Sequence, residues 1–78
     1  MTASAPQNGD IVVHEEQRGG TFVYALRTVP GPEQVIIATY ERAVEQALTF
    51  AKHERVRVWV ETDGDFQLLK NVGVAAFT

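Results

Sequence analysis

The residues that could bind a metal ion are two histidines and the acids beside the first of them. His14, Glu15 and Glu16 are consecutive, and His53 follows much later. Imidazole and carboxylate groups are ligands that Zn²⁺ takes in proteins. Successive strand residues point to opposite faces of a sheet, so His14 and Glu15 in a strand cannot easily share one ion. His53 falls on the polar side of a predicted helix. We therefore predict no metal site and no cofactor.

A second group of acids surrounds a glycine near the C-terminal end. Glu61, Asp63 and Asp65 alternate around Gly64. A calcium loop needs oxygen ligands at more positions and a closing glutamate, and neither follows here. This segment is typical of a solvated hairpin turn.

The side chains that would act as nucleophiles are nearly absent. The chain has no cysteine, and its only serine is Ser4 in the polar N-terminal segment. No pair of carboxylates is placed to converge in a pocket for acid–base work. The Gly19-Gly20 pair is not a phosphate loop, because no helix opens behind it. We therefore predict that the protein is not an enzyme.

A basic cluster could contact phosphate groups. It consists of Lys52, His53, Arg55 and Arg57. Together with Trp59 it suggests single-stranded nucleic acid stacked on an aromatic sheet. The competing interpretation is that cations in the last turn of a helix complement its dipole. The net charge of −3, from ten acids against seven bases, favours that second interpretation.

Two hairpins and a short strand are predicted from turn signals. The β-prone residues 11–17 and 21–28 flank Gly19-Gly20, and residues 56–61 and 66–70 flank Asp63-Gly64. Glycine takes the positive φ that two-residue hairpin turns require. Residues 34–38 predict a further short strand after the Pro30-Gly31-Pro32 loop.

The helix prediction covers residues 40–53. Its apolar side chains fall in one arc at about 100° per residue, and its polar ones fill the opposite arc. Thr39 is the predicted N-cap, and the helix is expected to end near Glu54 or Arg55. Three alanines form a stripe down the apolar arc that lets the helix approach a sheet closely: Ala43, Ala47 and Ala51.

These elements predict an α+β domain with the order β-β-(short β)-α-β-β. One amphipathic helix packs on one face of a small antiparallel or mixed sheet of four or five strands. Residues 1–10 are expected to be a disordered leader, 11–70 the single domain, and 71–78 an apolar tail that frays or lies on an apolar surface.

No segment is long enough to span a bilayer and no secretory signal begins the chain, so we expect a cytoplasmic protein without membrane contact.

The pattern resembles a known family. The features are Gly19-Gly20 before a second strand, the alanine stripe after Thr39, the alternating valines Val56, Val58 and Val60, and the Asp63-Gly64 turn. They are similar to the short bacterial family catalogued as domain of unknown function 2188. The resemblance covers about residues 11 to 70 and supports the order of elements. It implies a bacterial source and no activity, since none is established for that family.

The register of the two hairpins predicts apolar residues on both faces of the sheet. If Asp63-Gly64 is a two-residue turn, Trp59 opposes Leu68 and Glu61 opposes Phe66. Trp59, Phe66 and Leu68 then share the face without a helix, and Val56, Val58, Val60 and Leu69 share the other. One helix covers only one face, so the remainder needs a cover. Three alternatives remain: a shifted register or the tail hides this face, the chain forms a homodimer, or another partner docks there.

The first functional hypothesis is therefore a non-catalytic interaction module. It self-associates or binds a protein partner through the face without a helix, centred on Trp59, because tryptophan is enriched at interface centres. The alternative for that residue is that Phe66 and Leu68 cover it within its own chain. The alternative function is nucleic-acid binding by Lys52, Arg55 and Arg57 with nearby aromatic side chains.

Overall fold

The computed structural model describes residues 5–71 and contains one helix and five strands. The elements are β1 (Ile11–Arg18), β2 (Thr21–Thr28), β3 (Glu33–Ile37), α1 (Tyr40–Glu54), β4 (Arg57–Thr62) and β5 (Asp65–Asn71). The predicted α+β class and element order are confirmed, with small differences at the strand ends. The apolar tail predicted for residues 71–78, to fray or to lie on an apolar surface, is outside the described residues except for Asn71.

The strands form one mixed sheet in the order β3-β2-β1-β4-β5. β1 and β4 are parallel, and the other three neighbouring pairs are antiparallel. The central position of β1 explains why Ile11, Val12 and Val13 are buried although they point alternately to the two faces.

Both hairpin turns have the predicted length. Arg18 pairs with Thr21, and Thr62 pairs with Asp65. All four turn residues have positive φ, at 55° and 85° for Gly19 and Gly20 and at 53° and 85° for Asp63 and Gly64. This backbone twist matches the twist of the flanking strands, so each turn sets the register of its hairpin.

Leu69 departs from the predicted pattern. Trp59 pairs with Leu68 as predicted, but Val58 pairs with Lys70, so Leu69 is an extra residue in β5. A bulge of this kind leaves one residue unpaired and bends the strand. The bulge interrupts the regular alternation from which Leu69 was placed on the face of Val58, and Leu69 is 38% exposed.

The helix forms as its sequence predicts. The side chain of Thr39 accepts a hydrogen bond from the Arg42 amide, and Arg55 ends the helix in the left-handed conformation. Ala43, Ala47 and Ala51 are fully buried against the sheet. Their partners in this core are Ile11, Val13, Leu26 and Val58. Small side chains leave room for these branched residues, so the helix packs closely on one face.

Candidate functional site

The opposite face, here called the helix-free face, carries alternate residues of each strand, except where the bulges in β3 and β5 shift the alternation. The pairing places them in two rows that cross the sheet from β3 to β5. The first row is Glu33, Arg27, Val12, Trp59 and Leu68, and the second is Ile36, Ala25, His14, Glu61 and Phe66. Each row is apolar in part and charged in part, so this face has a composition unlike that of the helix-covered face.

Trp59 lies on the helix-free face, as predicted, but it is buried. Its exposed fraction is 1%, and its neighbour Val12 is fully buried. The indole N–H donates a hydrogen bond of 2.9 Å to Asp10 Oδ2. The ring therefore offers almost no surface to a partner, which agrees with the alternative in which the chain itself covers Trp59.

Asp10, the hydrogen-bond partner of Trp59, was not predicted from the sequence. Its carboxylate accepts three hydrogen bonds, from the backbone amides of Gln7 and Arg57 and from the indole of Trp59. The side chain is 3% exposed. Asp10 falls in the segment predicted to be a disordered leader, and the structure ties it into the folded domain. No local signal could have assigned this role, because two of the donors lie 47 and 49 residues away along the chain.

The exposed apolar residues of the helix-free face lie at its two ends. Leu68 on β5 is 37% exposed, and Ile36 on β3 is 46% exposed. Phe66 is partly buried. Phe66 and Leu68 were predicted as binding residues, whereas Ile36 was not singled out. The sequence contained a signal for Ile36. Val35, Ile36 and Ile37 form a continuous apolar run, whereas a half-buried strand alternates apolar and polar residues.

A charged network occupies the middle of the helix-free face. Glu61 Oε1 lies 3.4 Å from His14 Nδ1 and 3.7 Å from Arg27 Nη2. His14 Nδ1 is buried and has no hydrogen bond of good geometry among the described residues. Glu61 thus sits between a guanidinium and an imidazole.

Two further acids lie near His14 on the same face. One donor atom from each of His14, Glu16 and Glu33 lies within 4.8 Å of the others. Glu16 Oε2 also accepts a 2.7 Å hydrogen bond from Arg18 Nε. That bond, with the nearby charges of Arg18 and His14, lowers the pKa of Glu16 below its ordinary value. His14 and Glu15 point to opposite faces of the sheet, as predicted, and so cannot share one ion. The same alternation places His14 and Glu16 on one face.

Glu15 serves the opposite face. Tyr24 Oη donates a 3.3 Å hydrogen bond to Glu15 Oε2, and the Tyr24 ring packs edge-on against Tyr40 with centroids 5.6 Å apart. Burial of the phenol and the neighbouring Glu15 carboxylate raise the pKa of Tyr24. Tyr24 and Glu15 therefore lie on the face of the sheet opposite to His14, and Tyr24 contacts the first residue of α1, Tyr40.

The predicted basic cluster is divided between the end of α1 and the start of β4. Lys52 and Arg55 are exposed at the end of α1, where His53 Nδ1 lies 3.0 Å from Glu54 Oε2. Arg57 lies on the helix-free face and is partly buried. Nucleic-acid binding by these residues stays a prediction, and the buried ring of Trp59 is not available for stacking on a base.

The acids around Gly64 are separated in the structure. Glu61 belongs to the charged network, while Asp63 and Asp65 are exposed in the turn and at the start of β5. Within residues 5–71, the group of His14, Glu16 and Glu33 is the cluster with metal-ligand spacing.

No protein-family model, no curated protein and no solved structure matches this chain. The likeness to domain of unknown function 2188 therefore rests on the sequence pattern alone. No helix among residues 5–71 is long and apolar enough to cross a membrane.

Proposed function

We propose that this protein is a non-catalytic interaction module that forms a homodimer through the outer edge of β3. Within the described part of the chain, β3 pairs with β2 and lies at the end of the sheet. The observation that carries the proposal is the exposure of its apolar residues. Val35 is 37% exposed on the helix side and Ile36 is 46% exposed on the helix-free face. An edge strand with apolar side chains on both faces is a template for pairing with another strand.

The other edge of the sheet is better protected against pairing. β5 contains the Leu69 bulge, which bends the strand and interrupts its regular pairing. Its first residue, Asp65, is an exposed acid. The irregularity in β3 lies near its start, opposite Leu26 and Arg27, and leaves Val35, Ile36 and Ile37 in regular extended structure. A second copy of the chain is therefore expected to pair with the C-terminal half of β3, next to α1.

Charge favours an antiparallel arrangement of the two β3 strands. Glu33 is the only charged residue of β3 and lies at its beginning. In a parallel pair the two Glu33 side chains would stand side by side, and like charges directly opposite each other destabilise a sheet. In an antiparallel pair they lie at opposite ends. Two-fold symmetry then places the same apolar patch of both copies in contact.

The dimer is expected to be weak. Full burial of a valine or isoleucine side chain contributes about 1.5–3 kcal/mol, and Val35 and Ile36 are already more than half buried in the single chain. Association also costs translational and rotational freedom. We expect a dissociation constant of about 1 μM to 1 mM.

The test is the solution mass over a concentration series, measured by sedimentation equilibrium for the wild type, Ile36→Lys and Leu68→Lys. The two substitutions are matched, because both residues are exposed and apolar and both lie on the helix-free face. We expect a concentration-dependent dimer for the wild type and Leu68→Lys, and a folded monomer for Ile36→Lys.

Two results would overturn this assignment. A wild type that stays monomeric at about 1 mM excludes the homodimer. A dimer lost in Leu68→Lys and kept in Ile36→Lys moves the interface to the Phe66–Leu68 end of the face, where the sequence pattern placed it. A bacterial, cytoplasmic setting is part of the proposal, and its bacterial part rests on the family resemblance.

A further inference from the structure

We propose that the helix-free face binds a first-row transition-metal dication, with Zn²⁺ as the representative ion, through His14, Glu16 and Glu33. One donor atom from each of the three side chains lies within 4.8 Å of the other two. The residues come from β1 and from the start of β3, on either side of β2, so the fold and not the sequence brings them together. One imidazole and two carboxylates form a ligand set that Zn²⁺ accepts.

A small residue lies beside His14 on β2, one row from Glu33, which pairs with Arg27. Ala25 on β2 pairs with His14 on one side and with Ile36 on the other, and it is fully buried. A larger side chain at this position would stand between β1 and β3 on the same face. With alanine there, side chains from β1 and β3 can reach each other above β2.

The imidazole of His14 is held in a way typical of metal ligands. Glu61 Oε1 lies 3.4 Å from Nδ1, and Arg27 Nη2 lies 3.7 Å from the same oxygen. Metal-bound histidines commonly present their second nitrogen to a carboxylate, which fixes the ring and raises its basicity. With Glu61 at Nδ1, Nε2 is the nitrogen left for the ion. A proton on Nδ1 would also satisfy this buried atom, which lacks a good hydrogen bond among the described residues.

The two carboxylates can complete the site by small side-chain movements. Zn²⁺ ligands lie about 2.0–2.2 Å from the ion, so tetrahedral donor atoms are roughly 3.3–3.6 Å apart. Glu33 is exposed and Glu16 is half-buried, so both can close the remaining distance. Glu16 Oε2 is bonded to Arg18, which leaves Oε1 for the ion. Three protein ligands leave a fourth position open to water.

The experiment measures Zn²⁺ binding to metal-free protein from which any affinity tag has been removed. Isothermal titration calorimetry gives stoichiometry and affinity, and the visible spectrum of Co²⁺-loaded protein reports the coordination. We expect one ion per chain and a higher melting temperature with Zn²⁺, because a ligand that binds only the folded state stabilises it. Ca²⁺ and Mg²⁺ should bind more weakly, since neither favours a nitrogen ligand.

Matched variants separate this site from adventitious binding. His14→Gln and Glu33→Gln should each weaken Zn²⁺ binding by about 10-fold or more, and Glu61→Gln by about 10–100-fold. His53→Gln and Glu15→Gln remove a histidine and a glutamate elsewhere and should leave affinity unchanged. Far-UV circular dichroism checks that each variant is folded.

Three outcomes would overturn the proposal. They are the absence of saturable Zn²⁺ binding to the wild type, unchanged affinity in His14→Gln and Glu33→Gln, and equal losses in His53→Gln. Tighter binding of Ca²⁺ than of Zn²⁺ would also contradict it, because His14 would then not be a ligand.

Discussion

The two faces of the sheet bury their apolar residues by different means. On the helix-covered face, three alanines of α1 pack on branched side chains such as Val13 and Val58. On the helix-free face, Val12, Ala25 and Trp59 are equally buried, yet their neighbours include His14, Arg27 and Glu61. The covered face is buried mainly by apolar contact, with one hydrogen bond from Tyr24 to Glu15, whereas the helix-free face combines apolar contact with several hydrogen bonds and charge pairs. A small domain with one helix can thus protect both faces, but the second depends on specific polar partners.

The largest effect is expected from removing the Trp59 side chain. Trp59→Ala should lower the free energy of unfolding by about 3–5 kcal/mol, because it leaves a large cavity and removes one of the three hydrogen bonds that the buried Asp10 carboxylate accepts. A single core of this size rarely supplies more than about 3–5 kcal/mol, so this variant should be largely unfolded. Trp59→Phe keeps most of the volume and should stay folded. Urea denaturation measures both, and a Trp59→Ala variant with near wild-type stability would show that the helix-free face is not part of the core.

Removing the Asp10 carboxylate should have a smaller effect. Asp10→Ala leaves the buried indole N–H and the Arg57 amide without an acceptor, which costs about 1–3 kcal/mol. In the Trp59→Phe background the same substitution should cost less, because the indole donor is already gone. This double-mutant cycle isolates the bond between them. Additive losses would mean that the hydrogen bond to Trp59 contributes nothing to the helix-free face.

The smallest expected effect is a loss of stability at alkaline pH, caused by Tyr24 on the helix-covered face. The raised pKa of Tyr24 means that the unfolded chain releases this proton first as the pH rises past about 10. The folded state then binds more protons than the unfolded state, so stability falls with increasing pH. Tyr24→Phe should flatten this decline, and Tyr40→Phe should retain most of it, because Tyr40 is the smallest of the causes that raise the pKa of Tyr24. Urea midpoints at pH 8 to 11 measure the difference, and a decline of the same slope in Tyr24→Phe would contradict the assignment.

The elements could be predicted because their signals are local. Thr39, the alanine stripe and the two turn pairs each act within a few residues, and all four predictions are confirmed. The register of β1 with β2 follows from the length of one turn, and so does most of the register of β4 with β5. The bulge at Leu69 could not be located from the sequence, because it depends on how β5 packs beside β4 and not on the residue itself.

The residues of the candidate site were harder to predict from the sequence than the helix and strands. Trp59 was correctly placed on the face without a helix, but its burial depends on Asp10, which is distant in the chain. The ligand set proposed for the metal ion joins His14 and Glu16 to Glu33, which belongs to another strand. The sequence placed Glu15 and Glu16 beside His14, and Glu15 was excluded as a shared ligand because it points to the opposite face, where it accepts a hydrogen bond from Tyr24.

The sequence by itself determined the helix, the hairpins and the alternation of faces, because turn geometry, capping and side-chain periodicity act over a few residues. The tertiary structure decided that β1 and β4 lie side by side in parallel, a pairing between residues far apart in the chain. That contact places Glu61 beside His14 and Trp59 near Asp10. Long-range pairing is settled by which strands bury the most apolar surface together, and no local pattern contains that information.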